Sequence, residues 1–283
     1  DIDFMYYLFQ SIDWTVGTNK AVKGLTLNKV TLSNKIVNLP SISEQKKFAK
    51  ILDALTEAKN ILKSILAKNG VLVKSRFIEM FGDPVTNPKG WTSKKLKDIC
   101  AIGSSKRVYQ REQTSQGIPF LRISDLVSKI TSQEETCNLY ISEKQFDEFE
   151  QQGLVPKTGD ILVTARGTLG LCYIIKPDDK FYFQDGMISW VHTSEAEINP
   201  VYVSYLFDSQ EIRRQIDKMV SGSTVAYLSI AQLETFDILL PPLNLQNEFA
   251  AFVEQADKSK LVIQELLKKH ELLKEALMQK YFG

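Results

Sequence analysis

Two stretches of the chain carry the same apolar rhythm. Ile51, Leu55, Ala58, Leu62 and Ile65 recur at alternating spacings of four and three, and Ile263, Leu266, His270, Leu273 and Leu277 do so again near the other end. Such alternation lays one apolar seam along each helix, the pattern of a coiled coil. Pro40 and Pro241-Pro242 cannot continue a strand ladder or sit in a helix interior, so they mark the joint before each helix, with Ser43 and Asn244 as the expected N-caps. The helices are placed at 41–82 and 243–283; nearly forty residues at about 1.5 Å each make spacers some 55–60 Å long. Gly70 interrupts the first at about 1 kcal/mol relative to alanine, which leaves room for a kink or break.

Residues 83–242 read differently. Asp83-Pro84, Asn87-Pro88 and Lys89-Gly90 form a turn-rich linker, followed by short strand-like runs at 119–123, 160–164, 170–175 and 187–191. Asn199-Pro200 opens a helix through Tyr205 and Phe207, and Glu211 to Met219 form another. The class is α+β: a mixed α/β domain with a curved sheet, plus the two long helices.

An internal repeat organises the whole. Leu39-Pro40 returns as Leu240-Pro241, Gln45 as Gln246, Phe48 as Phe249 and Phe81-Gly82 as Phe282-Gly283, all 201 residues on. Leu27 and Leu32 likewise match Leu228 and Leu233, and Tyr7-Leu8-Phe9 resembles Tyr205-Leu206-Phe207 after a three-residue slip. Residues 1–82 thus match only the closing part of a longer unit, so a full-length relative is expected to carry another copy of 83–201 in front.

Composition narrows the classes. With 43% hydrophobic and 24% charged residues the chain is globular, neither disordered nor collagen-like. The net charge of +1 supplies no global field for nucleic acid, so any such binding must be local. Residues 89–111 hold Lys89, Lys94, Lys95, Lys97, Lys106, Arg107 and Arg111 against Asp98 alone, a run able to face phosphates. Residues 134–150 are the acidic counterpart, and the alternative for both is a solvated face. Cys100, Cys137 and Cys172 suit free thiols in a reducing cytoplasm, and no run approaches the roughly 18 apolar residues of a membrane span.

Candidate contacts follow from donor chemistry. Arg166-Gly167-Thr168 joins an arginine at a strand end to a glycine that lets the backbone approach a ligand, with amide and hydroxyl donors for phosphate oxygens; the alternative is a hairpin turn with a solvated arginine. Ser221-Gly222-Ser223-Thr224 is a loop of small donors able to clamp a phosphate, or an ordinary turn. Arg107, Tyr109, Arg111 and Gln113 lie in a polar stretch that can enter the major groove, where arginine reads guanine and glutamine adenine. Arg122, Ser124, Asp125, Gln184 and Asp185 follow strands or lie between aromatics and serve contact or structure equally well.

Catalytic readings fail. Asn199-Pro200-Val201-Tyr202 lacks the second proline of an adenine methyltransferase pocket and is better taken as a helix cap. Pro177-Asp178 has no acid-x-lysine pair to complete a nuclease site, and Gly167-x-x-Gly170 lacks the lysine of a P-loop. His192 and His270 are too few and too separated for a triad or a zinc site.

These features together resemble the specificity subunit of a type I DNA restriction-modification system. The resemblance rests on Leu-Pro-x-x-x-x-Gln before both helices, Phe-Gly after them, Gly90-Trp91 with Leu96, Gly159-Asp160-Ile161-Leu162, Ala165-Arg166-Gly167-Thr168-Leu169-Gly170, and Ser221-Gly222-Ser223-Thr224 before Leu228. It implies target-recognition domains, each followed by a spacer helix, with the two long helices pairing as an antiparallel coiled coil. On that pattern 1–40 is the remnant of a first recognition domain, 41–82 its spacer helix, 83–242 a second recognition domain and 243–283 the closing helix. It further implies a non-catalytic, cytoplasmic subunit that reads double-stranded DNA. Modification subunits would carry S-adenosylmethionine, and a restriction subunit would use ATP and Mg²⁺. With most of one recognition domain lacking, a half-site reader is expected. A protein-interaction scaffold without sequence readout, or a homodimer through the long helices, are the alternatives.

Overall fold

The computed structural model describes residues 1–14, 19–21, 24–26, 29–33, 36–131, 137–221 and 226–282. The chain runs through α1 (Ile2–Ser11), β1 (Asn19–Ala21), β2 (Gly24–Thr26), α2 (Lys29–Ser33) and α3 (Ile42–Phe81). Then come β3 (Thr92–Lys95), β4 (Ile102–Gly103), β5 (Gln113–Thr114), β6 (Ile118–Leu121), α4 (Ile123–Thr131), β7 (Tyr140–Ile141) and α5 (Glu143–Gln151). It closes with β8 (Ile161–Thr164), β9 (Cys172–Ile174), β10 (Tyr182–Phe183), β11 (Ile188–Val191), α6 (Pro200–Phe207), α7 (Gln210–Val220), α8 (Ile230–Leu233), β12 (Asp237–Leu240) and α9 (Leu243–Phe282). Two compact units result: Asp1–Val71 with Ala256–Gly283, and Leu72–Gln255. Among the described residues, no helix is long and apolar enough to cross a membrane.

In the first unit α3 and α9 run antiparallel. Lys59 Nζ meets Glu271 Oε1 at 2.9 Å and Asn69 Nδ2 donates to the Ala256 carbonyl at 2.8 Å, so one number rises as the other falls. The inner face is Leu55, Leu62, Leu66 and Asn69 against Ile263, Leu267, His270 and Leu277, whereas Ile65, Leu266 and Leu273 are exposed. A straight helix turns about 20° per heptad away from a strict seven-residue repeat, which carries those three expected seam positions off the interface. Gly70 does not break α3: the helix is continuous, and a Cβ there would meet nothing within 4 Å. Phe4, Leu8 and Ala49 form the core where α1 packs on the two helices.

The helix starts differ from expectation. Ser41, not Ser43, caps α3, taking the Glu44 amide at 3.3 Å while the Glu44 carboxylate takes the Ser41 amide at 3.0 Å. Asn244 lies inside the first turn of α9, and the Pro242 carbonyl takes the amides of Leu245 and Gln246.

In the second unit the strands form two four-stranded sheets, β10-β6-β7-β5 and β4-β11-β8-β9, and a β3-β12 ribbon. All four residues of both β8 and β11 are buried, which is why these strands read as continuous apolar runs. Part of the acidic run becomes α5, whose Phe146 and Phe149 join a core cluster with Ile141 and Tyr182. The Gly159-Asp160 motif is a structural corner. The buried Asp160 carboxylate accepts from the Lys157 amide, Trp190 Nε1 and both the amide and hydroxyl of Ser194 at 2.7–3.1 Å.

The repeat is physical as well as textual. Gln45 and Gln246 are both buried; Gln45 Nε2 donates to the Pro40 carbonyl and Gln246 Nε2 to the Pro241 carbonyl, each at 2.8 Å. The Oε1 atoms accept from the backbone nitrogens of Asp1 and Asn199, the N-caps of α1 and α6. The aromatic contacts correspond too: Phe4 meets Phe282 at 5.0 Å and Tyr202 meets Phe81 at 4.8 Å.

Candidate nucleic-acid interface

Strand register brings several candidate segments to one end of a sheet. Gly103 pairs with Trp190 and Thr164 with Ile188, so β4 and β8 leave the sheet at the end where β11 enters it. Three connecting segments meet there. Ser104 Oγ donates to the Ile188 carbonyl at 3.2 Å and takes the Gly186 amide at 3.3 Å. The Ala165 amide donates to the Met187 carbonyl at 2.9 Å, and the Ala165 carbonyl takes the Leu228 amide at 3.0 Å. The segments beginning at Ser104, Gln184 and Ala165 are therefore tied to one another and to the chain at Tyr227-Leu228.

The first segment carries the basic candidates. Lys106 is held by its amide, which donates to the Tyr182 hydroxyl at 2.8 Å; burial pushes that phenol up to about 12, keeping it neutral. The Lys106 ammonium lies 5.3 Å from the Phe149 ring centre. Arg107 is exposed, and its Nε donates to Asp185 Oδ2 at 2.8 Å, a bond that raises its already high pKa and orients the guanidinium. Arg111 lies over the exposed Tyr109 ring at 5.2 Å, forming a cation-aromatic pair on the surface. Gln113 is half-buried in β5, opposite Ile141.

Arg166, Gly167 and Thr168 are consecutive exposed residues on a firmly anchored turn. Beneath them the buried Thr164 hydroxyl donates to the Thr168 carbonyl and takes the Leu171 amide. From behind, Arg213 Nη1 donates to the Leu169 carbonyl at 2.6 Å. Gly170, at φ +73°, sits where a Cβ would come within 2.6 Å of Ile216 Cδ1.

The other candidates have different places. Lys94 and Lys95 lie in the β3-β12 ribbon, where Lys95 pairs with Asp237 at 2.8 Å. Arg122 has structural work: its amide and Nε both donate to Asp125 Oδ2 at the start of α4, and Nη2 donates to Asn138. Ser221 is exposed at the end of α7, while Gly222, Ser223 and Thr224 lie outside the described residues. Sequence reasoning missed Arg213 and Tyr227. Arg213 resembles any solvated helix residue, but Tyr227 stands one place before Leu228, which the repeat had marked.

Residues weighed for catalysis have structural places. His192 stacks on Trp190 at 4.0 Å, and Asn199 caps α6 as expected. Among the described residues, no three His, Cys, Asp or Glu side chains are grouped to hold a metal.

Residues 88–274 match the family model described as the type I restriction modification DNA specificity domain. The chain belongs to that family. Specificity-family relatives include a type I restriction enzyme specificity subunit of Haemophilus influenzae, 27% identical over 89% of this chain and 66% of the relative. Another, from Methanocaldococcus jannaschii, is 26% identical over 89% of this chain and 61% of the relative. The chain therefore spans less than two thirds of the length of these relatives. The fold is that of solved specificity subunits. The HsdS subunit of Thermoanaerobacter tengcongensis aligns at TM-score 0.54 and 16% identity, over 99% of this chain and 69% of that one. The S subunit of M. genitalium aligns at TM-score 0.59 and 15% identity, over 100% and 73%. Specificity subunits are the non-catalytic component of these systems, as the sequence-based reading expected.

Proposed function

We propose that this chain reads one half of a double-stranded DNA target through residues 83–242 and presents that reading to modification and restriction subunits. The observation that carries the proposal is the convergence of Lys106, Arg107 and Arg166 on connecting segments tied together at one sheet end. An exposed, mostly cationic rim on a rigid sheet suits a phosphate backbone, and the turn amides and hydroxyls add neutral donors. Tyr109, Arg111 and Gln113, on the same connecting stretch, supply side chains of the kind that read base edges. Lys94 and Lys95 would add affinity without sequence information.

The helices 41–82 and 243–283 serve as the docking element in this reading. Support comes from apolar residues left exposed at equivalent repeat positions although the helices pair: Ile61 with Val262, and Ile65 with Leu266. S-adenosylmethionine, ATP and Mg²⁺ would belong to the partner subunits. Substituting Ile61 and Val262 by aspartate is expected to weaken co-purification with a modification subunit.

A second copy of the chain is the competing occupant of exposed apolar surface. Ile2, Tyr6 and Phe9 stand exposed on α1, while Phe207, the repeat counterpart of Phe9, is buried against Phe236. Light scattering that shows only monomer across the working concentration range would remove this second reading.

Selection from a random duplex library, with the chain alone and with its modification subunit at two salt concentrations, tests the main reading. A recovered asymmetric motif is the expected result; a symmetric motif would favour a paired dimer. No motif in either condition, with partner binding intact, would leave a scaffold. Arg166→Ala is expected to weaken binding and to lower the salt slope by about one.

A further inference from the structure

The contacts of Arg166 set it apart from Arg107 and Arg122 and liken it to Arg111, which lies over the Tyr109 ring at 5.2 Å. Arg107 and Arg122 are each engaged by a carboxylate, Asp185 and Asp125 respectively. Arg166 is instead held by Tyr227 in two ways. The two residues pair as an isolated antiparallel β-bridge, and the guanidinium carbon lies over the Tyr227 ring, 5.8 Å from its centre. The Leu228 amide closes the same short ladder on the Ala165 carbonyl at 3.0 Å.

This difference has a chemical consequence. A carboxylate neutralises a guanidinium and competes with phosphate for its N–H donors. An aromatic face attracts the cation through its quadrupole and leaves the full positive charge available. Tyr227 is itself 38% exposed, so the pair stands at the surface rather than in the core. Gly167 and Thr168 follow Arg166 on the exposed turn and add amide and hydroxyl donors beside the charge. A cation flanked by amide and hydroxyl donors suits phosphate oxygens, which carry charge and only accept.

We infer that Tyr227 is a positioning residue for DNA recognition, holding Arg166, which has no carboxylate partner among the described residues, as a charged donor for a backbone phosphate of the bound duplex. The assignment rests on the DNA-reading function proposed above. Because phosphate is contacted, the effect is independent of base sequence. Arg213 supports the same turn through the Leu169 carbonyl.

The test is fluorescence anisotropy of the full chain with a random-sequence 30-base-pair duplex over a series of salt concentrations. Tyr227→Leu is expected to weaken binding about two- to five-fold, the worth of an exposed cation-aromatic contact. Tyr227→Phe keeps the ring and is expected to bind as the parent does. In an Arg166→Ala background, Tyr227→Leu is expected to change nothing further. Parent affinity in Tyr227→Leu, failure of phenylalanine to rescue, or an undiminished loss in the Arg166→Ala background would each overturn the positioning role while leaving DNA reading intact. A parent chain that does not retain duplex at low salt, alone or with its modification subunit, would overturn the recognition reading and this assignment with it.

Discussion

Gln246 offers the most direct test of how the second unit is held at its joint. The side chain is 1% exposed and makes two bonds of opposite sense, taking the Asn199 amide at 2.9 Å and donating to the Pro241 carbonyl at 2.8 Å. Gln246→Ala deletes both partners' partner at once. An orphaned buried backbone group costs about 1–3 kcal/mol, so two give about 2–6 kcal/mol if water cannot enter, and about 3 kcal/mol with partial relaxation. Gln246→Glu sharpens the test. Its carboxylate can still accept from Asn199, but when ionised it sets a second oxygen against the Pro241 carbonyl. Protonation restores a donor, so the folded-state pKa of this glutamate should rise above its unfolded value of about 4.3. The variant should then be nearest the parent below that unfolded value and lose stability as pH rises through the folded one. Urea unfolding followed by tryptophan fluorescence at pH 4, 5.5 and 7 measures both effects. An alanine penalty under about 0.5 kcal/mol, or a glutamate variant that grows more stable towards pH 7, would refute the reasoning.

Three further outcomes are expected. Gly70→Ala should stabilise the chain by up to about 1 kcal/mol in chemical denaturation, because the helix is continuous and the added methyl meets nothing within 4 Å. Gly170→Ala should destabilise by about 2 kcal/mol, since alanine is strained at φ +73° and its Cβ would press on the buried Ile216; reduced thermal stability with weakened duplex binding is the expected signature. Cys100, whose thiol burial pushes up to about 12, and Cys172, raised further by the same cause, should resist iodoacetamide at pH 8 in the native chain and react fully in urea, as mass spectrometry would read.

The candidate site was legible in segments rather than in side chains. Arg166-Gly167-Thr168 was visible because a strand-like run ends at an arginine beside glycine, and the structure leaves all three exposed. Arg122 carries the same surface signal, yet it is bonded to Asp125 and Asn138, a partnership that one-dimensional charge patterns do not reveal. Asp185 was noted without a role, and its bond to Arg107 spans 78 residues. Arg213 and Tyr227 act on a turn more than forty residues away in sequence, a separation across which no local pattern operates.

The sequence alone determined the plan: two long helices, a mixed α/β body between them, and a repeat that names its own joints. Those features are local or periodic. Prolines exclude helix and strand interiors wherever they stand, apolar spacing selects a helix face, and identical side chains at one offset make the same contacts twice, as Gln45 and Gln246 do. Tertiary structure decided which seam residues meet, since the turn of a straight helix leaves Leu266 and Leu273 outside the pairing. It also decided which cations meet a carboxylate among the described residues, as Arg107 and Arg122 do. Charge pairing depends on where distant carboxylates and rings arrive when the strands register, and only the folded chain sets the Tyr227 ring beside Arg166.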